Sequence, residues 1–262
     1  MDILVCIKQV PASNKVEVDP VTGVLLRNGA DSKMNPYDLY ALETALKIRE
    51  EVGGTISVIS MGPPQAMTVI REAFAMGVDR GALLSDRRFG GADVLATSYT
   101  IAQGIKKMGD FDLILCGKQT TDGDTAQLGP AIAEHLGIPH AAWVSEIVDA
   151  DSESIQVKQD LVSVSQTSKI PYPCLITVDK DMCVPRLPSY LLQKQSKDRP
   201  VKIMAFEDMA DQNLSKYGLV GSPTAVEKMF APPEVEKQVY FDGDAKEKTK
   251  QLFDVLVNKK VI

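Results

Sequence analysis

Short apolar runs alternate with amphipathic stretches over about the first 148 residues, and this alternation constrains the fold more than any other feature. The apolar runs are nearly continuous, as expected for strands of a parallel sheet that is covered on both faces. They lie at residues 3–7, 55–61, 81–84 and 111–116. Three helical stretches lie between them, and this order predicts an α/β fold with a doubly wound, mostly parallel sheet.

The three helical stretches are marked by start and stop signals. The first has Asn35 as a favourable N-cap and Pro36 at its first position, and Gly53 ends it. The second begins after Pro64, and the third spans about residues 92–108. These signals fix the helices between the predicted strands.

Two later segments and one early segment depart from this alternation. Residues 15–19 and 24–27 flank the turn-forming sequence 20–23, which predicts a β-hairpin excursion. Residues 155–165 alternate between apolar and polar side chains, and residues 174–178 form another apolar run. Both segments are therefore predicted to be strands.

The C-terminal part of the chain has a different composition. Residues 205–243 show little periodicity and predict an extended arm, whereas residues 245–258 have helical spacing. We therefore expect an α/β domain at residues 1–200 and a C-terminal arm that ends in a helix at residues 201–262.

Charge and composition disfavour several classes of protein. The formal net charge is −6, whereas nucleic-acid binding requires a basic face. No apolar run approaches the roughly 20 residues of a membrane-spanning helix, and no leader sequence is recognised, so a cytoplasmic protein without membrane insertion is expected. The four cysteines contain no C-x-x-C pair and there are two histidines, which predicts no metal site and no histidine-based catalytic triad.

The segment after the strand at 111–116 is the most informative for chemistry. Residues 117–130 are rich in glycine, threonine and aspartate, although neither a dinucleotide fingerprint nor a P-loop is present. A loop at the carboxyl end of a parallel strand, with a helix from about residue 125, suits a phosphate. Asp122 and Asp124 are interpreted either as contacts to ribose hydroxyls or as caps of that helix. Nucleotide binding and a simple capped loop both remain open from these residues alone.

Three other segments are expected to border the same crevice. They are residues 6–10 after the first strand, residues 35–38 at the first helix start, and residues 61–63 after the second strand. Each alone is also explained as a strand end or a helix cap. Together they predict one cleft at the carboxyl edge of the sheet.

Ordered sequence blocks along almost the whole chain give the sequence a family resemblance. The blocks lie at residues 5–11, 34–38, 62–65, 75–80, 117–119, 178–181, 221–224 and 230–233. In this combination the chain resembles the β subunit of electron transfer flavoproteins. Residues 19–29 and 122–127 resemble the electron-bifurcating, NADH-using branch of that family more than the conventional branch.

The resemblance implies a flavin or nucleotide contact at a defined set of positions, with Cys6 contributing its backbone and not its thiol. The positions are Cys6, Asn35, Tyr37, Asp38, Met61, Gly62, Thr120, Thr121, Asp122, Gly123, Asp124, Thr125, Ala126, Gln127, Leu128, Gly129, Pro130 and Ala131. No residue of the protein is expected to act as a catalytic nucleophile, because the flavin carries the electrons.

The resemblance also implies partners. The C-terminal arm would embrace an electron transfer flavoprotein α subunit that holds its own FAD. The FAD of this chain would accept hydride from NADH, and electrons would pass to ferredoxin or flavodoxin and, through the α subunit, to a flavin-dependent dehydrogenase. The alternative is a conventional β subunit with structural AMP and no NADH chemistry. A regulatory nucleotide-binding domain without a redox role is disfavoured by the long arm and by residues 230–233.

A short apolar segment after the last predicted strand carries the expected docking site. Residues 186–192 contain three leucines and a tyrosine, which is unusual for a loop. The resemblance implies that this is the loop that anchors the dehydrogenase, through Leu187, Pro188, Tyr190 and Leu191. The alternative is that these side chains form a local core under the arm.

Overall fold

The computed structural model describes residues 1–12, 32–161, 163–227 and 239–262. By spatial contacts the chain divides into two units, Met1–Glu227 and Lys228–Ile262. The sequence places a boundary near residue 200, whereas the contacts divide the chain after residue 227. None of the described helices is both long enough and apolar enough to cross a lipid bilayer.

The first unit is built around a twisted sheet whose strands alternate with helices along the chain. Its strands, with those of a small second sheet, are β1 (Asp2–Cys6), β2 (Gln9–Pro11), β3 (Ser32–Met34), β4 (Thr55–Met61), β5 (Arg80–Leu84), β6 (Leu113–Gly117), β7 (His140–Ala150), β8 (Ser154–Leu161), β9 (Val164–Pro171), β10 (Cys174–Val178) and β11 (Lys202–Met204). In the described chain the main sheet has nine strands in the order β11-β5-β4-β1-β6-β10-β7-β8-β9.

The pairing of these strands confirms the predicted fold class. All neighbours from β11 to β7 are parallel, and β8 and β9 add an antiparallel extension at one edge. β1 lies between β4, which follows it in the first half of the chain, and β6, which comes later. The winding therefore reverses at β1, and the crevice outside the carboxyl ends of β1 and β6 is the usual ligand position in such sheets.

Helices cover both faces of the parallel part of the sheet. The helices of the first unit are α1 (Pro36–Val52), α2 (Met67–Met76), α3 (Val94–Met108), α4 (Leu128–Leu136) and α5 (Tyr190–Gln195), and the second unit contains α6 (Ala245–Asn258). Successive residues of β1 point to opposite faces: Ile3 and Val5 pack in the cluster that includes α1 and α2, while Leu4 and Cys6 pack in the cluster of α3 and α4. This two-sided burial explains why the strands are continuously apolar.

Local signals in the sequence define most helix ends correctly. α1 begins at Pro36 and is followed by Gly53, and α6 begins after Asp244, whose carboxylate accepts hydrogen bonds from the amides of Lys246 and Glu247. The predicted hairpin at residues 15–27 lies outside the described residues. What the structure shows is the antiparallel pair of β2 and β3 on either side of it.

Four expectations about elements need correction. The strand predicted at residues 155–165 is divided between two antiparallel strands, because β8 ends at Leu161 and β9 begins at Val164. The helix predicted from about residue 125 begins at Leu128, because residues 122–127 form a turn in which Asp124 and Ala126 have positive φ angles. β7 and β11 are strands that apolar periodicity does not reveal. Much of the predicted arm is not extended, since Tyr217 is fully buried against the rings of Phe206 and Phe89.

Candidate functional site

The crevice at the winding reversal is formed where the start of α1 approaches the ends of β1 and β6. Gly117 ends β6, and a Cβ added there would lie 2.4 Å from Oδ1 of Asp38 and 2.7 Å from the backbone carbon of Tyr37. No larger residue fits at this distance, so Gly117 allows the helix start to lie directly against the strand end. Cys6 ends β1 and Met61 ends β4 at the same edge.

Asp38 forms the floor of the crevice and joins its elements. Its side chain is buried, with 4% of the residue exposed, and it accepts hydrogen bonds from the backbone amide of Lys8 (2.8 Å) and from Nδ2 of Asn35 (2.9 Å). Burial raises the pKa of Asp38 from 3.8 to about 7, against the opposing effect of these two hydrogen bonds and the Lys8 ammonium. The carboxyl group therefore exchanges a proton near neutral pH.

Asn35 ties the loop after β6 to this floor. The residue is completely buried; its Nδ2 also donates to the carbonyl of Gln119 (2.9 Å), and its Oδ1 accepts from the amide of Thr121 (3.3 Å). Asn35 occupies the predicted N-cap position of α1, but its side chain makes no capping hydrogen bond to the helix. The amide is used instead to hold the loop, which gives the crevice a pre-formed polar floor.

The loop over this floor, residues 118–127, is mostly exposed and is shaped by its own polar groups. The amide of Asp124 donates to the carbonyl of Thr120 (2.9 Å), and the amide of Gly123 donates to Oγ1 of Thr120 (3.2 Å). Nε2 of Gln119 donates to Oδ1 of Asp124. The expectation that Asp122 or Asp124 caps the following helix is wrong, since the residue before α4 is Gln127 and no described side chain caps that helix.

An ion pair spans the crevice between the loop after β1 and the loop after β6. Nζ of Lys8 lies 2.8 Å from Oδ1 of Asp122, and the two side chains are 42% and 33% exposed. Although partial burial by itself raises the pKa of Asp122, the hydrogen bond and positive charge of Lys8 hold it below its usual value. A cation and a carboxylate therefore face each other at the crevice mouth, where a polar ligand can replace either partner.

The other predicted contact residues divide into three groups. Tyr37, Met61 and Gly62 border the crevice through the start of α1 and the end of β4, and Thr120, Thr121, Thr125 and Ala126 lie along the loop. Leu128, Gly129, Pro130 and Ala131 lie in the first turn of α4. A Cβ on Gly129 would meet Cγ2 of Thr177 at 2.3 Å, so this glycine is required for the helix to pack against β10.

The side chain of Cys6 is buried on the α3 and α4 face of the sheet. Cys6 pairs in register with Cys116 of β6, and both are buried in the apolar cluster under α3 and α4. The hydrogen bond with Cys6 and burial raise the pKa of the Cys116 thiol. The Cys116 sulfur is therefore not available as a thiolate nucleophile.

Two residues of the crevice were not among the predicted contacts. Lys8 supplies the cation at the mouth, and Gln119 connects Asn35 to Asp124 through its backbone and its side chain. A lysine two residues beyond a buried strand that ends at the carboxyl edge is the signal that identifies Lys8 in the sequence. Gln119 has no comparable signal, because its role depends on the loop conformation.

The apolar segment predicted at residues 186–192, which together with residues 184 and 185 is named here the docking loop, carries exposed apolar side chains. Leu187 is 86%, Tyr190 79% and Leu191 61% exposed, and Pro188 is also exposed. α5 begins within it at Tyr190 and is capped by Ser189, whose Oγ accepts from the amide of Leu192. The alternative of a local core around these side chains is not found in the described structure.

Comparison with known proteins gives consistent matches to one family. The family model described as "Electron transfer flavoprotein domain" matches residues 22–209. The chain is 46% identical to the electron transfer flavoprotein subunit beta of Clostridium acetobutylicum, over 87% of each chain, and 43% identical to that of Thermoanaerobacterium thermosaccharolyticum over the full length of both. It is also 44% identical to the caffeyl-CoA reductase-Etf complex subunit CarD of Acetobacterium woodii, over 89% and 88% of the two chains.

The extent of these matches identifies the family of the chain. It belongs to the electron transfer flavoprotein β-subunit family. The word "subunit" in the names of all three relatives marks them as parts of larger assemblies.

Proposed function

We propose that this chain is the β subunit of an electron-bifurcating electron transfer flavoprotein, and that it binds FAD in the crevice at the ends of β1 and β6. In this proposal NADH delivers a hydride, one electron goes to ferredoxin or flavodoxin, and the other goes through the FAD of an α subunit to a flavin-dependent dehydrogenase. The observation that carries the proposal is the buried Asn35–Asp38 pair, which is hydrogen-bonded to an exposed polar loop at the carboxyl ends of β1 and β6.

The donor set of the crevice fits a nucleotide. Lys8 provides a positive charge for a phosphate, and Thr121 and Thr125 lie exposed on the loop with hydroxyl groups. Asp122 and Asp124 provide carboxylates for ribose hydroxyls. The start of α4, to which no described side chain is bonded as a cap, adds the positive end of a helix dipole.

When bound, FAD supplies acceptance of a hydride and release of electrons one at a time. The residues of this chain then bind and orient it. Asn35 holds the loop in place from below, and Lys8 leaves Asp122 to neutralise phosphate charge. Asp38, with its pKa of about 7, holds or releases a proton under the site as the charge above it changes.

The identity of the nucleotide is the first experimental test. The heterodimer with its α subunit is purified and denatured, and the released ligands are separated and their visible spectra recorded. Two FAD per heterodimer support the proposal. One FAD and one AMP identify the conventional type of β subunit and overturn it.

Anaerobic titration with NADH tests the chemistry. We expect NADH alone to bleach the flavin absorbance of the heterodimer, because the hydride acceptor must be open to the nicotinamide ring. If the flavin is bleached only by a reduced dehydrogenase, the NADH-dependent part of the proposal is wrong.

A pair of glycine variants tests the location of the site. Gly123→Val places a branched side chain in the loop, where the first added carbon meets only Oγ1 of Thr120 at 3.2 Å. Gly90→Val is the matched control, because Gly90 is also an exposed loop glycine and its added carbon meets only the carbonyl of Arg87 at 3.1 Å. We expect Gly123→Val to lower flavin content towards one per heterodimer, while Gly90→Val leaves two. Equal flavin content in both variants would place the site elsewhere.

The proposal assigns the two apolar surfaces to different partners. The docking loop binds the flavin-dependent dehydrogenase through Leu187, Pro188, Tyr190 and Leu191. The arm and α6 bind the α subunit, since α6 carries an apolar face on which Leu252, Phe253 and Val257 are about half exposed. The name of the Acetobacterium woodii relative, which associates it with a caffeyl-CoA reductase, supports a dehydrogenase-type partner.

A further inference from the structure

Arg186, next to the most exposed leucine of the docking loop, is bonded to α1 by an unusually complete set of contacts. Its backbone amide and Nε donate to Oε2 of Glu43 at 3.0 and 2.9 Å, and its Nη2 donates to Oε1 of Glu43 at 2.9 Å. Nη1 donates to Oε1 of Glu50 at 2.8 Å. This two-pronged geometry is specific to arginine, because a lysine ammonium cannot bond both carboxylate oxygens in one plane.

Glu43 is buried, and its burial strengthens its hydrogen bonds with Arg186. The side chain is 5% exposed, whereas Arg186 is 35% exposed. Burial alone raises the pKa of Glu43, but the hydrogen bonds and positive charge of Arg186 hold it below its usual value. A buried carboxylate with such a partner stays in one position, so the arginine and the loop attached to it are also held in one position.

The ends of the docking loop are fixed to two different helices. Sγ of Cys183, just before the loop, lies 3.7 Å from the carbonyl oxygen of Tyr40 on α1. The amide of Ser189 donates to the carbonyl of Ala75 on α2 at 2.8 Å. Leu187 lies between these two attachments and projects into solvent.

We propose that Arg186 is a positioning residue for docking: through Glu43 it holds the docking loop in the conformation in which Leu187 meets the dehydrogenase. The inference rests on the proposed docking function of Leu187. Ordering the loop in advance removes an entropy cost that would otherwise oppose complex formation. The benefit is to association, and the flavin site is not involved.

Arg186→Lys is the decisive variant, because it keeps a positive charge beside buried Glu43 and removes the planar fork. Arg88→Lys is the matched control, since Arg88 makes the same two-pronged contact to Asp86 and also bonds Glu207 on a different part of the unit. The dehydrogenase that copurifies with the native complex is the probe, with the heterodimer as its varied substrate. We expect Arg186→Lys to raise KM about three- to tenfold with little change in kcat, flavin content or reduction by NADH. Arg88→Lys should leave all four quantities unchanged.

A double-mutant cycle with Leu187→Ala separates positioning from general destabilisation. If Arg186 acts through Leu187, adding Arg186→Lys to Leu187→Ala raises KM no further, because the group being positioned is already absent. Additive effects, or a fall in kcat or flavin content with Arg186→Lys, would overturn the positioning role. The neutral double variant Glu43→Gln/Arg186→Gln provides a second reading without an unpaired buried charge, and it should reproduce the rise in KM.

The variants Leu187→Ala and Arg186→Lys distinguish a failure of the docking function from a failure of the positioning role. If Leu187→Ala leaves KM unchanged, the docking function itself is wrong and the positioning role falls with it. If Leu187→Ala raises KM and Arg186→Lys does not, docking stands and only the positioning role is wrong.

Discussion

The crevice and the docking loop both contact α1, yet they break the ordinary pattern of burial in opposite directions. At the start of the helix, Asn35 and Asp38 are polar and buried. Beside its middle, where Glu43 bonds Arg186, Leu187 and Tyr190 are apolar and exposed. A buried polar group costs free energy unless it is hydrogen-bonded, and an exposed apolar group contributes no hydrophobic stabilisation, so each region is a departure that requires a reason.

The two regions differ in whether the chain itself supplies contact partners for their side chains. The buried polar groups of the crevice bond one another and the surrounding backbone, so the floor is finished before a ligand arrives. The apolar groups of the docking loop are ordered at their base but remain exposed to water. Under the proposed function, a polar ligand would therefore meet a site that is already formed, whereas the docking loop would lose its exposed apolar surface only when the dehydrogenase covers it.

The largest expected effect concerns the buried charge of the crevice. The pKa of Asp38 is raised from 3.8 to about 7, so the folded state binds a proton that the unfolded state releases in that range. The stabilisation from this proton is fully present below pH 3.8 and is lost as the pH rises through about 7, with a total of about 4 kcal/mol. Denaturant unfolding of the heterodimer across this range should show a steeper fall in stability with pH than unfolding of Asp38→Asn. Parallel curves would show that Asp38 does not titrate there.

Asn35→Ala tests whether the hydrogen bonds of Asn35 hold the floor of the crevice together. The change leaves the Gln119 carbonyl, the Thr121 amide and Asp38 without their partner, and a loss of about 2–3 kcal/mol in the free energy of unfolding is expected. Flavin content should fall as well. Ser98→Ala is the control, because Ser98 is equally buried and its hydroxyl donates to the carbonyl of Leu95 away from the crevice. Ser98→Ala should keep its flavin, and loss of flavin in both variants would contradict a specific role for Asn35.

Leu187→Ala tests the docking loop, the second of the two regions compared. Because Leu187 is 86% exposed, its truncation should change the free energy of unfolding by less than about 0.5 kcal/mol. Truncation of an apolar anchor in a complex costs roughly 2 kcal/mol, so binding of the dehydrogenase should weaken substantially. Val184→Ala is a useful control, since Val184 is 87% exposed in the same loop but is not among the predicted anchors. A loss of folding or flavin in Leu187→Ala would show that the residue belongs to a core.

The sequence predicts the strands and the helix that form the crevice better than the side-chain bonds that connect them. β1, β4 and α1 are recognised because continuous apolar runs and the Asn35-Pro36 signal are local features. β7 escapes recognition because it carries exposed charged residues such as Glu146, and Trp143 within it has a positive φ angle. The ion pair between Lys8 and Asp122 joins residues 114 positions apart, so it can be recognised only once the order of the strands in the sheet is known. The use of Asn35 as a loop anchor instead of a helix cap likewise depends on where Gln119 lies.

Lys8→Gln is expected to have the smallest effect. It tests most directly whether the crevice is fully formed before its ligand binds. Its ion pair with Asp122 is partly exposed, and such pairs contribute at most about 1 kcal/mol to stability, so Lys8→Gln should leave the free energy of unfolding nearly unchanged. A hydrogen bond from an ammonium to a phosphate is stronger, and its loss should weaken nucleotide binding roughly tenfold. Lys158→Gln is the control, because Lys158 is similarly exposed and faces Glu146 at 4.0 Å on the antiparallel extension. Nucleotide affinity measured by calorimetry after removal of the bound ligand should fall for Lys8→Gln alone. Unchanged affinity in that variant would mean that Lys8 serves only to hold Asp122, and that the positive charge for the phosphate comes from another part of the assembly.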